Sequence, residues 1–548
     1  MKIKSLLLAA LAFVPSVLSA QVIEGDVLVR GDGVPKDYKI PEGIREIAPN
    51  AFATSSVRSI ECPASLEVIG QCAFFYATEL KSVTFAPNSK LKTIGEQAFS
   101  DCTNLETIEL PNSVDSIGVN AFVLCENLKK ITIPTGLRKL SRSTFMSCSN
   151  LMKVKFPETL KEIDETCFAN CVSLTSLTLT GVETIGERAF YNCKVLTNVK
   201  LNEGLKEIKD NAFQHCIAIE TLELPTTIEK TDAKLFLQCP EFDGFTVVAG
   251  SKYMMADGGV LYSKDKTTLY ECPQTAKSDN FVVPAETKLI RSMAFFECQD
   301  IKAITLPKNL EKVGTGALSN NGMATFNFTT NDYLIYEDNA LYYRSQNGNG
   351  LYLMAIPCKG TKTEFLLQPK TSYIADYAFS YNNSMQKVSL PDPVIGIGPR
   401  AFYACHGLKD IYSYRKTAPT LGEEVFGDVE FNKVYLHVRK GSEKSYADNN
   451  WLFLWGDNIE GDYPDVVDAI KGVTTASADL VVVRLNATEV RLTADTNISS
   501  VELYNAAGGL VSENNQFGSN EVVLTLPHRG VYVAKLRLAN GSVKVVKI

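Results

Sequence analysis

The residues best suited to nucleophilic or metal chemistry are four histidines and fourteen cysteines. The histidines are His215, His406, His437 and His528, and two of them form adjacent pairs, His215-Cys216 and Cys405-His406. An imidazole beside a thiol can act as the base that activates a cysteine nucleophile. No histidine, however, has a Ser/Asp or Cys partner at a recognised motif spacing. No G-x-S-x-G, H-E-x-x-H, P-loop or dinucleotide fingerprint occurs, and no C-x-x-C pair offers a metal two ligands. A glycosidase would need two carboxylates brought together by the fold, and a regular repeat with no non-repeating acidic pocket makes one improbable. We therefore expect no enzyme, no cofactor and no metal site.

A repeat explains the cysteines better. From Ile94 to Lys230 the sequence states one unit six times, beginning IGEQAFSDCTNLETIELPNSVDS and IGVNAFVLCENLKKITIPTGLRK. The opening aliphatics Ile94, Ile117, Leu140, Ile163, Ile185 and Ile208 are 23, 23, 23, 22 and 23 residues apart. Phe99, Phe122, Phe145, Phe168, Phe190 and Phe213 keep that step, as do Cys102, Cys125, Cys148, Cys171, Cys193 and Cys216. Cys239, Cys298 and Cys405 occupy the same repeat position, making nine in all. A period in the twenties with L-x-x-I-x-L in each unit signals a leucine-rich-repeat solenoid. Neighbouring rungs hold Cβ atoms near 4.8 Å apart, whereas a disulfide needs about 3.8 Å. Buried free thiols acting as small hydrophobes are therefore expected.

Within one unit, LETIELP, side chains alternate across the strand, so Leu105, Ile108 and Leu110 face in and Glu109 faces out. Pro111 ends the strand because it has no amide to donate. Phe122 and Cys125, three residues apart, suit the inward face of a short helical turn. One unit buries too few apolar side chains to offset the ordering of its backbone, so units must stack. The fold class is an α/β leucine-rich-repeat solenoid with its parallel sheet on the concave face, followed by a small all-β sandwich. Successive outward positions run Glu61, Thr84, Glu109, Thr132, Lys155, Thr178, Lys200, Glu223 and Thr246. They stand roughly 5 Å apart along one sheet face. Glu109, Thr132, Lys155, Thr178, Lys200 and Glu223 form the candidate ligand-binding strip.

The chain has 548 residues and a formal charge of −7, which argues against nucleic acid as a partner, since that wants a basic footprint. Residues 1–20 read as a secretory signal, with Lys2 and Lys4 before the apolar run LLLAALAFV. No stretch is long enough for a transmembrane segment. Residues 21–46 read as an N-terminal cap with a hairpin whose turn carries Arg30-Gly31-Asp32, a tripeptide displayed by integrin-binding loops and equally suited to a plain tight turn. Repeats fill 47–432, with two mutually similar hairpin insertions near 250–289 and 329–373. In these insertions Leu261-Tyr262 aligns with Leu341-Tyr342 and Leu269 with Leu353. Residues 433–465 read as a C-terminal cap whose core holds Trp451 and Trp455. Residues 466–548 lose the period and alternate as short strands, giving the β-sandwich.

The unit I-G-x-x-A-F-x-x-C-x-x-L-x-x-I-x-L-P resembles the BspA-type leucine-rich repeats of bacterial surface proteins over about Ile40 to Gly461. The VLYSKDKTTL insertion and the VRKGSEKSYADNNW cap are similar to segments recurring in that family. The resemblance implies an adhesin-like protein, secreted or displayed at the outer-membrane surface, with a protein or glycan ligand on host or bacterial surfaces. A structural component of the cell envelope without a foreign ligand is the alternative. The tail, SVELYNAAGGLV and GVYVAKLRLANGSVKVVKI, resembles the sorting domain of the type IX secretion system, although the Pro-Asn-Pro common near that domain's start is absent.

Overall fold

The computed structural model describes residues 22–547 except 32, 233, 346–349, 431–432, 452–458, 464–479, 485–488, 506–509, 515–518 and 528–531. The signal segment, Asp32, Trp455 and His528 lie outside the described residues.

Each repeat contributes two strands to two parallel ladders. The front ladder runs through Ser59–Cys62, Ser82–Phe85, Thr107–Ile108, Lys130–Thr132, Lys153–Lys155, Ser176–Thr178, Asn198–Lys200 and Thr221–Leu224. The side ladder runs through two-residue strands such as Thr93–Ile94, Ser116–Ile117, Lys139–Leu140 and Glu162–Ile163. Equivalent residues of successive units face each other, as in Ile131 with Val154 and Leu140 with Ile163. The I-G dipeptide sits where adjacent rungs close together: a Cβ on Gly118 would lie 2.4 Å from the Glu96 amide nitrogen. Glycine permits that approach, while Asp164 and Lys209 hold the equivalent place in other units with the same amide bond at 3.0 Å against 2.8 Å for Gly118.

Phe122 and Cys125 do point inward and are fully buried, but the segment between them is not helical. It is a run of tight turns in which two residues per unit adopt positive φ, for example Asn120 at 58° and Leu124 at 60°. The reason lies in the hydrogen bonds. Alternate amides bond the next rung rather than their own turn: Gln97 to Val119 O (3.0 Å), Phe99 to Ala121 O (2.7 Å) and Asp101 to Val123 O (2.8 Å). Each unit thus has a third cross-rung contact line. These bonds offset the roughly 1 kcal/mol or more that a left-handed non-glycine residue costs.

Two side-chain columns fill the interior. Phe52, Phe74, Phe99, Phe122, Phe145, Phe168, Phe190, Phe213 and Phe236 form a continuous stack, with neighbouring ring centroids 4.9–5.5 Å apart. The fourteen cysteines are all free, and all but the partly exposed Cys72 are buried. Each ladder thiol donates to a carbonyl of the preceding rung: Cys125 to Phe99 O (3.1 Å), Cys148 to Phe122 O (3.3 Å), Cys216 to Phe190 O (3.1 Å). A thiol is therefore more than a small hydrophobe here. It adds a second donor to a carbonyl that already accepts a backbone amide, as Phe99 O does from Cys102.

Both insertions are three-stranded antiparallel meanders. Met254–Asp257, Val260–Ser263 and Thr268–Glu271 lead into Leu289–Ile290, and Leu334–Glu337, Ala340–Arg344 and Leu351–Ala355 lead into Thr371–Ile374. Their bulges fall at equivalent places, Leu261/Tyr262 and Leu341/Tyr342. The buried apolar residues fall into three solenoid cores, and each meander stands between two of them. Leu261 packs into the first core and Val260 and Tyr262 into the second. Leu341 packs into the second, Ala340 and Tyr342 into the third.

At the end of the third core, Trp451 is fully buried. It packs edge-on against Phe426 and Tyr446 and donates its indole N–H to Pro419 O at 3.0 Å. The two described helical turns, Glu443–Tyr446 and Ala447–Trp451, hold it there. The C-terminal residues form two antiparallel sheets around one core. They include Leu510–Asn514, an exposed polar strand that its weak apolar alternation conceals in the sequence.

In the N-terminal hairpin, Val22–Glu24 pairs antiparallel with Val27–Arg30, so its turn is at Gly25-Asp26 and not at Arg30-Gly31-Asp32. Gly31 is buried: its amide donates to Ala51 O, and a Cβ there would come within 2.1 Å of the Phe52 ring. Gly31 serves packing, which argues against a displayed recognition loop.

Candidate binding face

The adjacent His-Cys pairs are not brought into catalytic contact. Burial pushes the Cys216 thiol well above its usual pKa, and the thiol donates to a main-chain carbonyl. His215 packs edge-on against Tyr191. Cys405 is likewise raised by burial and bonded to Phe379 O at 3.1 Å, while the neighbouring His406 faces Asp428 at 3.2 Å. A protonated, buried thiol is a poor nucleophile. No group of three or more His, Cys, Asp or Glu with metal-ligating potential occurs among the described residues.

The strip residues fall where strand alternation places them. Glu109, Thr132, Lys155, Thr178, Lys200 and Glu223 are all exposed on the front ladder. Thr132 stands directly beside Lys155, Thr178 beside Lys200, and Glu223 beside Thr246. The same face carries a second column two residues earlier, with Lys130 facing Lys153 and Ser176 facing Asn198. A period of two predicts that column as readily as the first, so the candidate strip is half the width of the real face.

The two ladders differ in how they treat charge. On the side ladder, cations and carboxylates bridge successive rungs: Lys139 to Glu162 (2.8 Å) and Asp164 (2.9 Å), Lys206 to Glu183 (2.8 Å), Lys230 to Glu207 (2.8 Å), Lys288 to Glu311 (3.0 Å). Lys139, Lys206 and Lys230 are raised in pKa first by these side-chain hydrogen bonds, and Glu183 is lowered by its bonds to Lys206 and Lys161. On the front ladder the middle rungs carry one such bridge among the described residues, Lys129 to Glu106 at 3.2 Å. Lys130, Lys153, Lys155 and Lys200 have no carboxylate within ion-pair distance among the described residues.

Two further clusters escape a reading by repeats. On the front face of the third core, the Tyr412 and His437 rings stack with centroids 4.2 Å apart. His437 Nε2 lies 2.9 Å from Asp410 Oδ1, and the Lys387 ammonium lies 4.5 Å from the Tyr412 ring centre. His437 belongs to this face rather than to an isolated cap. At the first meander, Lys234 and Glu271 form a 3.8 Å ion pair with both side chains only 1% exposed. Glu271 also accepts the amides of Leu235 (2.7 Å) and Phe236 (3.2 Å), and Lys234 donates to Cys272 O (3.3 Å). The sequence signal was alternation: Glu271 shares the inward parity of Leu269 and so needs a buried partner.

Among known proteins, the family model described as the BspA type leucine rich repeat region (6 copies) matches over residues 45–175, 161–255, 267–349 and 361–451. The chain is similar to a leucine-rich cell surface protein from Faecalibacterium prausnitzii, at 20% identity over 72% of this chain and 92% of that one, with a TM-score of 0.43. It is also similar to a leucine-rich repeat protein from Bacteroides ovatus, at 20% identity over 82% and 98%, with a TM-score of 0.36. The pneumococcal vaccine antigen PcpA matches at 19% identity over 80% and 93%, with a TM-score of 0.31. No protein of curated function matches. Among the described residues no helix is long and apolar enough to cross a membrane.

Proposed function

The chain belongs to the BspA-type leucine-rich repeat family, and from that premise we propose that it is an exported surface protein whose front ladder binds a macromolecular ligand. One observation carries the reading. Among the described residues, cations and carboxylates bridge rung to rung along the side ladder, while Lys130, Lys153, Lys155 and Lys200 in the middle of the front ladder have no carboxylate partner. Extended ladder faces of this kind are what solenoids use to bind. The ligand classes are host matrix protein, another cell's surface, or glycan. The leader at residues 1–20 and the C-terminal sandwich, with its resemblance to the type IX sorting domain, would carry the protein to the surface.

The test is a binding screen of the full mature chain against matrix proteins, glycans and whole cells. Each hit is repeated with Glu109, Lys155, Lys200 and Glu223 changed together to Ala. Saturable binding that this variant loses is the expected result. A folded chain that binds nothing would favour the envelope role. Surface fractionation with and without residues 466–548 tests the role of the tail, which predicts that truncated protein fails to reach the cell surface.

A further inference from the structure

The middle four rungs of the front ladder have a chemistry of their own. They carry Lys129, Lys130, Lys153, Lys155 and Lys200 outward, in a chain whose formal charge is −7. No Asp or Glu stands at any of their outward strand positions. Carboxylates return on the flanking rungs, Glu106 and Glu109 on one side and Glu220 and Glu223 on the other, so the basic zone is bounded. Only Lys129 is paired, to Glu106 at 3.2 Å. Lys130 and Lys153 face each other in register, and like charges directly opposite on a ladder are destabilising. A zone that sets two lysines against each other and leaves four of its five without a carboxylate among the described residues has a site that an anion relieves.

We propose, building on the binding role assigned to this face, that these rungs recognise a linear sulfated polysaccharide. Its length fits: four rungs span roughly 15 Å, with Lys130 and Lys153 about 5 Å apart on neighbouring rungs, Lys153 and Lys155 about 7 Å apart along one strand, and Lys200 about 10 Å from Lys155, two rungs on. The donor type fits as well. A lysine ammonium is a rotatable point charge, suited to a tetrahedral oxyanion such as a sulfate ester in any orientation. No arginine stands among these outward positions. Exposed Ser176, Thr132 and Thr178 supply hydroxyls for the sugar. The absence of any aromatic residue at these positions disfavours single-stranded nucleic acid, which needs stacking platforms. It also disfavours a protein partner, which needs a buried anchor.

The full mature chain is tested on immobilised heparin, with hyaluronan, dextran and DNA as comparison ligands. With four charges engaged and about 0.7 counterions released per charge, heparin affinity should fall roughly fiftyfold between 50 and 200 mM salt. The variant K130Q/K153Q/K155Q/K200Q should lose at least tenfold, and changing Glu109 and Glu223 to Ala should strengthen binding. Hyaluronan, which carries carboxylates but no sulfate, should bind at least tenfold more weakly. If the quadruple variant fails to fold, K153E alone serves, since it sets opposite charges in register with Lys130. No heparin binding, binding unchanged in these variants, or DNA binding as tight as heparin overturns the proposal. A non-anionic ligand lost in the Glu109/Lys155/Lys200/Glu223 variant would overturn it too, while leaving the binding role intact.

Discussion

Glu271→Leu should be among the most damaging single substitutions in the chain. The carboxylate lies 3.8 Å from Lys234 Nζ, and neither side chain reaches solvent. At that separation two charges attract by about 4 kcal/mol at the effective dielectric suited to proteins. Removing one partner leaves the other buried and uncompensated, a loss of about 3–5 kcal/mol. Lys234→Met should cost a similar amount. The double change Lys234→Met/Glu271→Leu removes both charges and leaves mainly the amides of Leu235 and Phe236 without their acceptor, about 1–3 kcal/mol. The double change should therefore cost less than the two single changes together, by about 3 kcal/mol or more. Denaturant titration of all four proteins gives the coupling, and amide exchange over residues 231–239 locates it. Coupling below about 0.5 kcal/mol would refute the reasoning, because independent sites add to within that margin. The acid limb supplies a second check. Burial outweighs the ammonium and the two amides and raises the Glu271 pKa. This group's contribution is therefore fully present below the unfolded carboxyl value and is lost as pH rises through the folded one. Glu271→Gln should flatten that part of the pH profile.

Thiol titration without reductant should find fourteen reactive groups in denaturant and at most Cys72 in the native protein; a deficit in denaturant would mean disulfides. Phe145→Ala interrupts the ring stack between Phe122 and Phe168 and should cost about 3–5 kcal/mol, read by calorimetry; a cost under about 1 kcal/mol would refute the stack as a core element. Asp265 accepts from the Ser263 hydroxyl and from the amide and hydroxyl of Thr267, which hold its pKa at about 2. Its contribution to the meander's turn is thus present above the ordinary carboxyl range and fades as pH falls toward 2. A carboxyl titration by NMR with its midpoint near 4 would contradict this.

The solenoid is legible in the sequence because both of its signals are periodic. The 23-residue step marks the buried Phe and Cys columns, and the two-residue strand period marks Glu109 and Lys155 as outward. What repetition does not encode is where the backbone sends its hydrogen bonds. Spacing alone makes Phe122 and Cys125 equally consistent with a helical turn or with the cross-rung turns observed, since both bring the two side chains inward. The thiol-to-carbonyl bonds, such as Cys125 to Phe99 O, are equally hidden, because a buried cysteine looks the same whether or not it donates. The face is legible as one column from the L-x-x-I-x-L centre, while Lys130 and Lys153, two places earlier, lie outside that motif and form the second. Lys234 and Glu271 are 37 residues apart, and only the meander's return to the stack brings them together.

The two meanders also bear on how such a gene can change. Each presents one face to the core before it and the other to the core after it, with equivalent residues, Leu261 and Leu341, pointing back and Tyr262 and Tyr342 pointing forward. A recombination joining the coding sequence at Leu261 to that at Leu341 would excise the whole middle block. What remained would be one hybrid wall, its rear surface already shaped to the first core and its front surface to the third. The reverse event would insert a block on the same terms. Chain length in this architecture is thus free to vary in steps of a complete block, with each junction arriving already packed.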